Sequence, residues 1–435
     1  MSDQAASRAG FQMQMRRDRA GRAEPARALV MSTAAFTVCF AVWTIFSIIG
    51  VQIKDELSLS ESQFGLLVGA PILTGSLIRL ALGVLADRHG GRLVYTLAML
   101  AAAAATFLLS FAETYAQMLI AAFGVGIAGG SFAVGAAYVS RFYPTEKQGA
   151  ALGIFGVGNV GAAATKFLAP FVMVALGWEA TAQIWAACLA VAGVVFYFAT
   201  EEDPVTKARA GGFAPRRPLA GELAPLRNMQ VWRFALYYFF VFGGFVALAL
   251  WLPRYLIGVY GFDIKLAGMI GAVYSIPGSI FRAWGGALSD RVGARKVMYW
   301  TFAASAAATL VLSIPPADYT VYGMNGAVTL HVAVGPAAFV ATAFVLGFFM
   351  SLGKAAVYKH VPVYYADNVG AVGGFVGMIG GLGGFFLPIA FGLLLETTGL
   401  WTSAFMLLFV LAGTLLAWMH LAIRSMERRR AAQAA

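Results

Sequence analysis

The chain has 435 residues, of which 60% are hydrophobic and only 12% are charged, where a soluble chain carries about a quarter charged residues. That composition excludes an ordinary soluble globular protein. The formal charge of +11 does not indicate nucleic acid, because the basic residues sit in short loops and termini between long apolar runs.

Residues 1–27 form a polar, basic tail without the apolar stretch and cleavage site of a signal peptide. They read as a cytoplasmic N-terminal tail whose arginines meet anionic membrane lipid. Six apolar spans follow at 28–50, 64–86, 93–112, 116–140, 148–176 and 180–200, each long enough to cross a bilayer. Residues 201–231 contain Lys207, Arg209, Arg216, Arg217, Arg227 and four prolines. They read as a solvated cytoplasmic linker between an N-terminal domain, 28–200, and a C-terminal domain, 232–424. Six more spans are predicted at 232–257, 267–289, 297–315, 332–358, 368–395 and 400–423, before a cytoplasmic tail at 425–435. The fold class is therefore an all-α integral membrane protein of twelve transmembrane helices in two six-helix halves. Cys39 and Cys188 both fall in apolar runs and read as packing residues.

Arg88, Arg92, Arg141, Lys147, the linker, Arg291, Arg295, Lys296 and the run Arg428, Arg429, Arg430 all fall on one side. Loops on the other side carry Asp55, Glu56, Glu61, Asp263 and Asp318 and few basic residues. The positive-inside rule then predicts that both termini are cytoplasmic.

The two halves repeat. A shift of 203 positions superposes Gly75 on Gly278, Ser76 on Ser279, Arg79 on Arg282, Gly83 on Gly286, Asp87 on Asp290 and Arg92 on Arg295. An arginine inside an apolar helix costs about 2.5–3.5 kcal/mol on insertion scales. Each of this pair lies eight residues from its loop aspartate, roughly 12 Å along a helix, so neither reaches the membrane surface without strain. A buried cation in each copy suggests a transporter of an anion, with the substrate held between the halves near the bilayer midplane.

The loops GVLADRHGGR (83–92) and GGALSDRVGAR (285–295) join helix 2 to 3 and helix 8 to 9. Their glycines let helices approach closely. Their aspartates can pair with an arginine or cap a helix, so Gly83, Asp87, Arg88, Arg92, Gly286, Asp290, Arg291 and Arg295 read as gate-loop residues. The pattern resembles the signature loop of the major facilitator superfamily. Two further segments, SFAVGAAYVSRFYP with KQGAALG at 131–153 and GGFVGMIGGLGGFFLP at 373–388, resemble the glycine-rich signatures of the NarK-type nitrate/nitrite porters. The resemblance covers nearly the whole chain. It implies that Arg79 and Arg282 grip the anion, and that Phe132, Asn159, Tyr238 and Phe242 complete the substrate site. It also implies a multi-pass protein of the bacterial cytoplasmic membrane, monomeric by default, with nitrate or nitrite as substrate and no cofactor or metal.

Nitrate suits these residues. It is flat, and a guanidinium is a flat fork that donates two parallel hydrogen bonds. Two forks from opposite halves hold the ion edge-on, aromatic walls exclude tetrahedral anions, and Asn159 and Tyr238 offer neutral donors.

The family contains proton symporters and nitrate/nitrite exchangers. The run GKAAVYKH at 353–360 resembles the symporting branch more closely. Lys354, Tyr358 and His360 are the proton-coupling candidates, with Lys354 first and His360 more readily an interfacial histidine; Lys359 reads as a topology charge. Lys166 either snorkels outward or lines the outer path. No carboxylate is evident at mid-membrane, so the usual acidic proton relay is missing. The reading is proton-coupled nitrate import by alternating access, with nitrate/nitrite antiport as the alternative. A formate or oxalate porter is a second alternative and a membrane nitrate sensor a third. No P-loop, metal cluster or nucleophile motif supports an enzyme.

Overall fold

The computed structural model describes residues 24–210, 219–262, 264–324 and 326–434. The arginines of the N-terminal tail before residue 24, Arg216 and Arg217 of the linker, Asp263, and the side chains of Arg429 and Arg430 lie outside the described residues.

Nine helices among the described residues are long and apolar enough to cross a membrane. One of them, Thr145–Ala199, covers 55 residues and breaks at Gly177, whose φ of 88° no helix accommodates. It is two spans. The helices Ile264–Leu288 and Ala294–Leu312 complete a bundle of twelve. In chain order these are α1 (Glu24–Gly50), α2 (Glu61–His89), α3 (Gly91–Leu109), α4 (Tyr115–Ser140), α5 (148–176) and α6 (178–199). The second half holds α7 (Met229–Tyr260), α8 (Ile264–Leu288), α9 (Ala294–Leu312), α10 (Pro336–Tyr364), α11 (Val369–Thr398) and α12 (Ser403–Ala434).

Local chemistry sets the helix ends. Ser60 and Gln63 form a reciprocal capping box at the start of α2, and Thr114 and Gln117 do the same for α4. The repeat is visible in the backbone too. Gly90 and Gly293, equivalent positions, both have a φ of 91° and turn the chain into α3 and α9. Only glycine adopts that conformation without strain.

Three features depart from the sequence reading. The linker is partly helical, at Pro204–Ala210 and Leu219–Leu223. Ion pairs hold its start: Lys207 contacts Glu24 and Glu201, and Arg27 contacts Glu201. The tenth span begins at Pro336 rather than 332, because proline preorganises the first helical turn. The residues before it form a hairpin of β1 (Ala317–Gly323) and β2 (Gly326–Val332). The pairing puts Ala317, Tyr319 and Val321 beside Val332, Leu330 and Val328 on one face, and Asp318 beside His331 on the other. The third feature is a π turn at Phe239–Gly244 within α7. Such bulges re-aim side chains and often mark functional sites.

Candidate functional site

At the centre of the bundle Arg79 is 1% exposed and Arg282 0%, so both repeated arginines are sealed from solvent. Arg79 donates through Nε to the Gly129 carbonyl of α4 at 2.9 Å and through Nη1 to the Gly377 carbonyl of α11 at 2.7 Å. It thus bridges the two halves. Its guanidinium lies 5.4 Å from the Trp43 ring and 5.1 Å from the Phe242 ring.

Arg282 is held more loosely. Nη2 donates to the Tyr238 hydroxyl at 3.3 Å, while buried Nε and Nη1 have no hydrogen-bond partner among the described residues. The guanidinium sits 4.6 Å from the centre of the Phe132 ring and 5.9 Å from that of Tyr358. A cation on an aromatic face gains from the ring quadrupole, but that does not satisfy its N–H donors.

An unbroken row of rings joins the two arginines. Phe132 meets the edge of Tyr358 at 4.7 Å, Tyr358 meets Tyr238 at 4.8 Å, and Tyr238 stacks on Phe242 at 5.1 Å. Three of the six residues expected at the substrate site, Phe132, Tyr238 and Phe242, therefore form one connected wall with Tyr358, with Arg282 at the Phe132 end and Arg79 at the Phe242 end. Tyr238 immediately precedes the π turn of α7, and Phe242 lies within it.

Glycines make room for the cations. A Cβ at Gly156 of α5 would overlap Arg282, and one at Gly377 would press on the Tyr358 hydroxyl and Arg79. Asn159 lies in the same short 3₁₀ turn as Gly156, Gly156–Val160. It is buried, and neither amide atom has a partner among the described residues.

Lys354 of α10 is fully buried. Its Nζ donates to the Gly278 carbonyl at 2.7 Å and lies 3.4 Å from the centre of the Phe245 ring. Gly278 is four residues before Arg282 on α8, so Lys354 anchors one turn from that arginine. Tyr358, a turn along from Lys354, donates to the Gly373 carbonyl at 2.8 Å. His360 is elsewhere. It stacks on Phe234 at 5.0 Å and lines a separate cavity near the motif loops. Lys166 of α5 is half-buried.

The gate loops join the halves through their aspartates. Asp87 accepts from Gly370 N at 3.1 Å and Ala371 N at 2.8 Å, at the start of α11. Asp290 accepts from Gly149 N at 3.1 Å and Ala150 N at 2.7 Å, at the start of α5. Each carboxylate thus caps a helix of the opposite half, where the helix dipole favours negative charge. Gly83 and Gly286 complete the contact, because a side chain at either would overlap a carbonyl of the facing helix.

Arg92 binds the Tyr197 carbonyl and ring within its own half, and Arg295 contacts the Tyr364 hydroxyl within its own. Arg88 is half-buried and Arg291 exposed. Arg141 pairs with Asp87 and with Asp203 of the linker, and Lys359 lies 2.6 Å from Asp290. Lys359 also donates to the Thr145 carbonyl of the other half, so it is more than a topology charge. The motif spacing could not reveal either cation, since 54 residues separate Arg141 from Asp87. Trp43 gives no sequence signal for a similar reason: its indole donates to the Pro71 carbonyl at 2.7 Å, and a single tryptophan in an apolar span carries no pattern.

The family model of the Major Facilitator Superfamily matches residues 31–336. The chain is 43% identical over 423 residues to a protein of Thermus thermophilus named "Probable nitrate/nitrite antiporter NarK1", covering 94% of each. It is 30% identical to the "Nitrite extrusion protein" of Bacillus subtilis, covering 90% of this chain and 94% of that one. A "Probable nitrate transporter NarT" of Staphylococcus haemolyticus is 29% identical, over 87% of this chain and 92% of its own. Among solved structures, the human organic anion transporter MFSD10 superposes with a TM-score of 0.66 at 16% identity, over 89% of this chain and 99% of that one. The outward-conformation transporter FucP gives 0.66 at 15%, over 91% and 99%. These two establish the shared fold.

Proposed function

The chain belongs to the NarK-type nitrate/nitrite branch of the major facilitator superfamily, and from that membership we propose that it imports nitrate across the cytoplasmic membrane. It is a multi-pass membrane transporter; the ion, the orientation and the coupling are the proposal. The observation that carries it is Arg282: a buried guanidinium whose Nε and Nη1 have no partner among the described residues, set against Phe132 and facing the half that holds Arg79. A flat anion that accepts in-plane hydrogen bonds answers those donors. The Phe132, Tyr358, Tyr238 and Phe242 wall supplies flat apolar faces and one hydroxyl contact. The relatives named for nitrate and nitrite support the same ion.

Alternating access follows from the latch. With both termini placed in the cytoplasm, the Asp87 and Asp290 contacts close the cytoplasmic end. Two facing arginines repel each other, and a bound anion between them offsets that repulsion. Binding then favours the closed centre, and breaking the caps at α5 and α11 releases the ion inward.

Coupling rests on charge. Importing a lone anion against an inside-negative potential costs about 2.3 kcal/mol per 100 mV. Lys354 is a buried amine one turn from Arg282 and can give up a proton, whereas arginine remains charged. Its contacts with one carbonyl and a ring face suit an amine that cycles between charged and neutral forms. Exchange for internal nitrite is the second reading, favoured by the name of the Thermus thermophilus relative and by the lack of a mid-membrane carboxylate partner for Lys354 among the described residues.

Labelled nitrate uptake into proteoliposomes tests both. Accumulation driven by an inward proton gradient, without internal anion substrate, supports symport. Uptake only with internal nitrite supports exchange. Failure of both, with formate or oxalate exchanged instead, overturns the nitrate reading.

A further inference from the structure

A small cavity of about 40 Å³ opens within the C-terminal half near the motif loops, lined by α7, α9, α10 and α12. It is separate from the Arg79–Arg282 site, and its argument does not depend on the transported ion. Arg233 of α7, Arg295 of α9 and His360 of α10 all line it, and none of its described lining residues is a carboxylate. Arg233 Nε is buried without a hydrogen-bond partner among the described residues. Arg295 Nη2 meets only a neutral group there, the Tyr364 hydroxyl at 3.2 Å. The His360 ring is fixed flat against Phe234, with 5° between the planes.

Two guanidiniums around one cavity without a counter-charge disfavour each other, and an oxyanion between them offers bidentate acceptors to both. The volume holds a few water-sized groups, since one water needs roughly 10–15 Å³ on this measure. That matches a phosphate group and not a larger headgroup. Met419 and Met426 of α12 make part of the wall apolar, and the outer flank of the same helix carries His420, Arg424 and Arg428 along an open groove. Basic pockets between transmembrane helices at a membrane face take anionic headgroups in this way.

We propose that this cavity is a second oxyanion site that binds the phosphate group of an anionic phospholipid, tying α12 to α7, α9 and α10. The lipid's glycerol and acyl portions leave the cavity past the α12 methionines. Soluble phosphate shares the recognised chemistry and is separated from lipid by the test.

The full chain is reconstituted in nanodiscs of phosphatidylcholine, with and without phosphatidylglycerol, and its thermal midpoint is measured. Phosphatidylglycerol is expected to raise the midpoint of the wild type. Arg233→Gln with Arg295→Gln should lose most of that gain, whereas Arg291→Gln, an exposed arginine at the same end, should keep it. If the double variant folds poorly, native mass spectrometry of the wild type and Arg295→Gln replaces it, and the variant should retain less phosphatidylglycerol. Equal gain or equal retention in wild type and variants overturns the site. Inorganic phosphate giving the full gain in phosphatidylcholine discs overturns the lipid assignment in favour of a soluble oxyanion. A gain with nitrate but not with phosphatidylglycerol or phosphate, lost in the double variant, also overturns it and assigns the cavity to the transport route.

Discussion

Lys359 lies 2.6 Å from the Asp290 carboxylate, in the place that Arg141 holds beside Asp87 in the other half. Each aspartate caps a helix of the opposite half and is steadied by a cation from its own. The two copies are not equal. Arg141 is shared with Asp203, whereas Lys359 reaches across to the Thr145 carbonyl.

Removing Lys359 should therefore loosen the motif end without unfolding the bundle. Losing a charge-assisted hydrogen bond costs about 1.5–3 kcal/mol, so the population open at that end should rise roughly ten- to hundredfold. Maleimide labelling of Ala151→Cys, a buried position beside the latch amide of Ala150, in a background without Cys39 and Cys188, reads this directly. Faster labelling in Lys359→Ala, reversed by Lys359→Arg, is the expected result. Unchanged labelling and transport would remove Lys359 from the latch.

Arg282→Lys keeps the charge but loses the planar fork. The Nε and Nη1 donors, which have no partner among the described residues, disappear, and nitrate affinity should fall roughly ten- to hundredfold. Arg79→Lys should lose affinity as well, and some stability, because Arg79 also bridges to Gly129 and Gly377. Isothermal titration together with thermal midpoints separates the two effects. Normal affinity and transport in both variants would count against the paired-arginine grip.

Gly156→Ala tests whether the glycine-rich turn exists to seat Arg282. The added methyl would occupy the space of the Arg282 guanidinium and force it off the Phe132 ring. Transport should drop sharply while the helical content measured by circular dichroism stays near that of the wild type. Retained transport would mean that the turn yields easily and does not set the arginine.

Lys354→Met keeps the side chain's bulk and removes its proton. Proton-driven nitrate accumulation should be abolished while nitrate–nitrite counterflow persists. Loss of both would make Lys354 a structural anchor of α10 on Gly278. Persistence of both would remove it from coupling.

The twelve helices, the duplicated halves, the two arginines and the two capping aspartates were all legible in the chain. Hydropathy runs and repeats are properties of neighbouring residues, and a charge inside an apolar span stands out because water is absent there to solvate it. What tertiary structure alone decided is who meets whom. Arg79 reaches Gly377 across 298 residues, and Arg282 reaches Tyr238 across 44. The row of rings between them depends on how α4, α7 and α10 face one another. The cations at Asp87 and Asp290, the π turn that aims Phe242, and the hairpin before α10 all depend on contacts or backbone geometry that no local period encodes. Local pattern determines which segments enter the membrane; close packing between distant helices decides which of their side chains share a site.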